Sequence, residues 1–283
     1  MGEHGDTEQA LDSFAAKWIA AEPELGIALN FLPMPRRAIE AAFGCLAREI
    51  AHAAFSIREG DVAVAKLNWW HEELARMSHG EPRHPLTQVL SGHPAMADLP
   101  SSRWQAVIAT ALQQRERDPA ADFSNQIAGF ESFYRPLVEI EALLFGPIDC
   151  VVASRIAALA HAMREVAAMA RVLETGHVAF PLDLLARHQL RRDQLATDGT
   201  ERRYAAKEQL QAISIALDSI AKAQPTLLLT RYAGVLADRW RAGKAARADD
   251  PIAELNRLLL KVPFDATWKS WRAARREVHG ATD

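Results

Sequence analysis

The chain has 283 residues, 49% of them hydrophobic, with a formal net charge of −3 and a pI near 6.4. That supplies apolar material for a sizeable core and lacks the strongly basic balance a nucleic-acid partner calls for. Two cysteines, Cys45 and Cys150, with no CxxC pair, exclude a disulfide scaffold and a cysteine zinc site, and suit a reducing cytoplasm.

The opening MGEHGDTEQALDSF is polar and acidic, unlike a secretory signal. No window reaches the roughly 18 unbroken apolar residues of a membrane span. The expected location is cytoplasmic, with at most peripheral contact at an inner membrane.

Strand signals are almost absent, and helical spacing runs throughout. Pro23 and Pro33-Met34-Pro35 bound the first helix and start the second. The run AAFGCLAREI makes Cys45 a buried, inert thiol. Within Lys66–Pro85 the chain reads as an acidic, helix-like segment holding Trp69 and Trp70. Gly80, Pro82, Pro85, Gly92 and Pro94 break the chain after the Trp-Trp helix, so His79, His84 and His93 are expected in a solvated loop. Gly146-Pro147 ends another helix before Asp149.

Leu159, Met163, Val166, Ala170 and Leu173 form one helical stripe, which Pro181 is expected to stop. Leu210, Ile213, Leu217 and Ile220 form a second stripe, and Gly243 to Pro251 reads as a charged loop. With no repeat and no Gly/Ser linker, the prediction is a single all-α domain over 1–283, of roughly eight helices of about 10–25 residues.

Few residues announce chemistry. HExxH, GxSxG, GxGxxG and GxxxxGK[ST] are all absent. His71, Glu72 and Glu73 are adjacent, and neighbouring helical residues point about 100° apart, so they cannot line one metal site together. The glutamates read as a solvated face. By the same reasoning Trp69 and Trp70 cannot share one contact. One ring faces the core, and the other is a candidate to line a greasy cavity.

Three blocks carry a resemblance: KLNWWHEELARMSHGEPRHPLTQVL (Lys66–Leu90), GHVAFPLDLLARHQL (Gly176–Leu190) and WKSWRAARR (Trp268–Arg276). In order and spacing they resemble the squalene/phytoene synthase family of head-to-head prenyltransferases, over roughly residues 15–276. The resemblance implies an isoprenoid synthase-like helical bundle around a central cavity. It also implies two DxxxD motifs on facing helices, whose carboxylates hold Mg²⁺ against two prenyl diphosphates, with arginines clamping the phosphates.

This sequence departs from that pattern. Counting back from Pro181, the second-motif aspartates fall at Ala168 and Val172. The first-motif region, CLAREIAHAAFSI (Cys45–Ile57), has no aspartate, and its positions fall near Ala51, His52 and Phe55. The basic residue after Gly176 is His177. No catalytic residue and no metal ligand is therefore assigned, and no cofactor is expected. The cavity and ligand candidates are Arg48, Glu49, Trp69, Trp70, Arg164, Glu165 and His177.

A branch of the family also lacks the aspartates, and its mitochondrial members are associated with assembly of respiratory complex I. The resemblance implies a catalytically degenerate homologue that binds an isoprenoid or lipid, or serves as an assembly factor with a protein partner. The alternatives are an active Mg²⁺-dependent prenyltransferase with a rearranged site, and a purely structural scaffold. The C-terminal helix, with Trp268 and Trp271 beside Lys269, Arg272, Arg275 and Arg276, is a candidate membrane contact.

Overall fold

The computed structural model describes the backbone of residues 3–280 and the side chains of residue 9 and residues 11–275. Fourteen α-helices and two short 3₁₀ turns make up the described chain, without a strand. The sequence suggested about eight helices because short breaks without glycine or proline are silent in a helical pattern.

Proline and short polar residues set the early boundaries. The first helix, α1 (Glu3–Ala21), gives way to α2 (Pro23–Asn30), which carries Pro23 at its first turn. Pro33 precedes α3 (Met34–Phe55), and α4 (Gly60–Ser78) carries both tryptophans. Then comes α5 (Pro85–Ser91), where the His84 ring accepts a hydrogen bond from the Leu86 N–H. His93 does the same for Ala95 at the following turn. These two histidines are caps rather than solvated loop residues.

Next follow α6 (Ser101–Arg115) and α7 (Phe123–Phe145), the latter capped by Asp122 and ended by Gly146 at φ 110°. Asp149 caps α8 (Cys150–Ala167), and Ala168 separates it from α9 (Met169–Glu174). The break explains why the predicted stripe fails at its end. Leu159, Met163 and Val166 are buried, but Ala170 is exposed. Pro181 does not stop this helix, which has already ended at Glu174. It opens α10 (Leu182–Arg187) instead.

The chain closes with α11 (Thr200–Ala223), α12 (Leu229–Ala245), α13 (Pro251–Leu259) and α14 (Phe264–Gly280). The charged loop thus shrinks to the residues after Ala245. Helix α7 lies along α8, α11 along α12, and α12 against α2. The main core runs from Phe43, Leu46 and Ile50 through Trp70, Phe130 and Phe133 to Met163 and Leu210. Cys45 sits in it, and burial pushes its thiol up to about 11, so it stays an inert thiol.

Glu73 overturns the solvated-face reading. It is fully buried and accepts hydrogen bonds from the Arg83 and His84 backbone N–H groups, the Thr87 hydroxyl and Arg76. Those bonds fold the Pro/Gly-rich segment back onto α4, while Glu72 faces solvent. The tryptophans also differ from expectation. Trp70 is core and Trp69 is 42% exposed, yet both rings meet the His84 ring, at centroid distances of 5.0 and 5.7 Å. A long aromatic side chain reaches around the helix, so adjacent positions can share a partner.

Candidate functional site

A cavity of about 170 Å³ lies among α2, α3, α7, α8 and α12. Each helix presents residues three or four apart, the spacing of one helical face. From α3 come Glu40, Gly44, Ala47, Arg48 and Ala51, and from α7 Tyr134, Leu137, Glu141 and Phe145. From α8 come Ala157, Ala160, His161 and Arg164, and from α12 Arg231, Gly234 and Asp238. Small residues hold the space open. Apolar side chains, among them Leu25, Phe43 and Ile156, share the lining with charged ones.

On this lining every carboxylate meets an arginine. Glu22 pairs with Arg48, and Glu40 with Arg36 at 2.6 Å. Glu141 accepts from Arg231 at 2.9 Å. Glu24 takes both ends of the Arg241 guanidinium, at 2.9 and 2.6 Å, and Asp238 takes a third bond from it at 2.8 Å. Arg164 reaches Glu24 at 3.4 Å and Asp238 at 3.5 Å.

Arg241, wholly buried, also donates to the Leu258, Leu259 and Lys261 carbonyls at the end of α13. Burial alone would push the Glu22 carboxyl up, but Arg48 and Arg164 outweigh it and hold it at about 2. The wall is a closed set of charge pairs.

Beside it lies a second cluster. The Tyr134 hydroxyl is 3.0 Å from His161 Nδ1, His161 Nε2 is 3.5 Å from Glu165, and Glu165 accepts from Arg117 at 2.5 Å. Burial raises the Tyr134 hydroxyl, so it stays protonated. Burial lowers the His161 imidazolium against the pull of Glu165, which favours the neutral ring. Arg117 lies over the Phe55 and Phe130 rings at 5.2 and 4.6 Å. Through Phe55 and Arg117 this cluster links α3, α7 and α8.

The sequence-derived candidates scatter. Arg48, Arg164 and Ala51 line the cavity. Glu49 turns the other way and bridges Lys17 at 2.8 Å and Lys66 at 2.7 Å. Glu165 stands behind His161 rather than on the wall, and Trp69 and Trp70 are remote from the cavity lining. Phe55 is buried, His52 is exposed, Ala168 caps the break after α8, and Val172 is buried in the core. His177 lines a separate space of about 150 Å³ with Gln114, Arg117 and Phe130, where burial and Arg117 lower its pKa to about 4.

The sequence reading missed Glu22, Glu24, Tyr134, Glu141, His161, Arg231, Asp238 and Arg241. A charged residue inside an otherwise apolar helical face was the available signal, as with Glu141 in VEIEALLF and Asp238 in GVLADRW. Among the described residues no group of three or more His, Cys, Asp or Glu is placed to hold a metal ion. The Mg²⁺ that the resemblance implies finds no matching donor set, since methyl groups and Phe55 stand at the motif positions and each wall carboxylate is engaged by a guanidinium.

Among the described residues the chain is an all-helical bundle around a cavity, with no strand. Solved structures with the same fold include a dehydrosqualene synthase in complex with ligand, which aligns with a TM-score of 0.68 at 9% identity over 98% of this chain and 99% of that one. Squalene synthase HpnC from Alicyclobacillus acidocaldarius aligns with a TM-score of 0.59 at 15% identity, over 92% of this chain and 97% of that one. The fold is therefore that of the squalene/phytoene synthases. No protein-family model and no curated protein matches the sequence.

Proposed function

We propose that the chain is a squalene/phytoene synthase-like protein that binds an apolar, isoprenoid-type ligand in its central cavity without condensing prenyl diphosphates. One observation carries this reading: each carboxylate on the cavity wall is held by an arginine, while Ala51, His52, Phe55, Ala168 and Val172 stand where the resemblance places the metal-binding aspartates. Ionisation of a prenyl diphosphate needs anionic ligands that hold Mg²⁺ against the leaving group, and an alanine or valine side chain offers none.

In this reading the protein works by carrying a ligand or by assisting assembly of a partner, as in the aspartate-free branch tied to complex I. It acts in the cytoplasm or at the face of an inner membrane. No helix among the described residues is long and apolar enough to cross a membrane. A second reading, a transferase with a rearranged site, draws on Arg48, Arg164, Arg231 and Tyr134, which share the cavity wall and have the chemistry to grip a diphosphate. Incubation with Mg²⁺ and farnesyl or geranylgeranyl diphosphate, followed by mass spectrometry of products and retained lipid, separates the two. Retained lipid without product supports the first reading, and Mg²⁺-dependent product supports the second.

A further inference from the structure

We propose that Glu22 is an internal plug: its carboxylate occupies a latent oxyanion site formed by Arg48 and Arg164 and keeps phosphate-type anions off them. This autoinhibitory contact goes beyond the reading above, and the exclusion does not depend on what the cavity holds. The sequence places Glu22 at a joint rather than within a helix. It is the single residue between α1 and α2, and Pro23 follows it. A residue before proline is kept out of the helical conformation, and Glu22 has φ −136° and ψ 74°. The chain turns there, and the side chain joins the cavity lining with Arg48 of α3 and Arg164 of α8. One oxygen, Oε2, meets both guanidiniums: it accepts from Arg48 and lies 3.7 Å from Arg164.

The neighbouring charges form a deeper set. Glu24 and Asp238 are bound by Arg241, whose side chain is wholly buried. The side chains of Glu22, Arg48 and Arg164 keep 18%, 23% and 29% exposure. Those of the other lining carboxylates, Glu24, Glu40, Glu141 and Asp238, keep 8% or less. Glu22 is thus the lining carboxylate most accessible to an incoming ion. In charge, Glu22, Glu24 and Asp238 balance Arg48, Arg164 and Arg241. Removing Glu22 leaves one positive charge unmatched beside two planar guanidiniums with accessible surface, the chemistry that takes up a phosphate-type oxyanion. With Glu22 in place, an entering anion meets a like charge and competes with a carboxylate tethered to the chain, whose effective concentration a dilute free ion does not match.

The full chain is titrated with inorganic phosphate by calorimetry, and melted in phosphate and in chloride at equal ionic strength, as wild type, Glu22→Ala and Glu139→Ala. The last removes the same charge from an exposed pair with Arg103, outside the cavity lining. Glu22→Ala is expected to bind phosphate at least about tenfold more tightly than the wild type and to melt higher in phosphate than in chloride. The wild type and Glu139→Ala are expected to show neither effect. A Glu22→Ala chain that is unfolded in chloride is expected to regain its helical circular dichroism in phosphate. Three results overturn the proposal: phosphate bound by the wild type as tightly as by Glu22→Ala, an equal gain in Glu139→Ala, or a Glu22→Ala chain that phosphate neither binds nor stabilises.

Discussion

The Phe55 ring packs against the His161 ring at a centroid distance of 4.1 Å, joining the end of α3 to the middle of α8. Phe55 stands in the aspartate-free run where the resemblance places a metal-binding carboxylate. Here α3 and α8 meet through an aromatic ring and an imidazole whose charged form burial disfavours. Phe55 also touches Phe130 and Phe133. Replacing it by alanine is expected to destabilise the protein by about 3–5 kcal/mol, the usual cost of deleting a buried aromatic ring. Urea denaturation followed by circular dichroism reads this directly.

Arg241 ties α12 to Glu24 before it and to the α13 carbonyls after it. Substituting leucine leaves three carbonyls without their donor and two buried carboxylates with only the longer contacts to Arg164. Arg241→Leu is expected to cost roughly 3–5 kcal/mol, as for other broken buried pairs. Pairing it with Glu24→Gln restores part of the loss, because one stranded charge is removed. A double-mutant cycle in urea measures the coupling.

Acid should weaken the fold through Glu22. Its folded-state pKa, about 2, lies below the ordinary 4.5. Its contribution is therefore full above pH 4.5 and is lost as pH falls through about 2. The shift corresponds to roughly 3 kcal/mol. His177 acts in the same direction higher up. Its pKa falls from 6.5 to about 4, so stability declines as pH drops across that window and the unfolded chain takes up the proton first. Glu22→Gln should flatten the acid limb below pH 4.5, and His177→Gln the limb above pH 4. Thermal melts across pH test both.

Much of the fold was legible in the sequence. Helical spacing and the absence of strand patterns gave the class, and the Lys66–Leu90 and Gly176–Leu190 blocks pointed to the architecture. The site was less legible, because its partners are far apart in the chain. Arg241 and Glu24 are 217 positions apart, and Arg117 and Glu165 are 48 apart. No local pattern marks such pairs. The break at Ala168 was silent too. Its neighbours Ala167 and Met169 are good helix formers, so local propensity runs the other way and gives no warning. Glu73 was misread because an acidic residue on a helix is usually solvated, and its partners lie in the loop beyond the helix.

The end of α13 and the start of α14 present Leu260, Phe264 and Trp268, exposed by 69%, 85% and 50%. Five basic residues, Arg257, Lys261, Lys269, Arg272 and Arg275, lie along this stretch with two acidic ones, Glu254 paired with Arg257 and Asp265 paired with Lys269. The side chain of Arg276 lies outside the described residues. Apolar side chains along a basic stretch suit an anionic lipid surface. The protein is expected to float with phosphatidylserine-containing liposomes at low salt and to release at high salt. Phe264→Ser with Trp268→Ser is expected to weaken flotation, and unchanged flotation in that variant would remove this patch from the account.

The central claim is that the fold has been kept while the Mg²⁺-dependent condensation has been lost. It is tested most directly by incubating the purified chain with Mg²⁺ and farnesyl diphosphate, then geranylgeranyl diphosphate, and extracting for hydrocarbon product. The Ala168→Asp/Val172→Asp variant is run beside it. The account predicts no head-to-head product from the wild type, because Glu40 and Glu49 on α3 and Glu165 on α8 are each already engaged by an arginine or lysine. Clear Mg²⁺-dependent product from the wild type would contradict it.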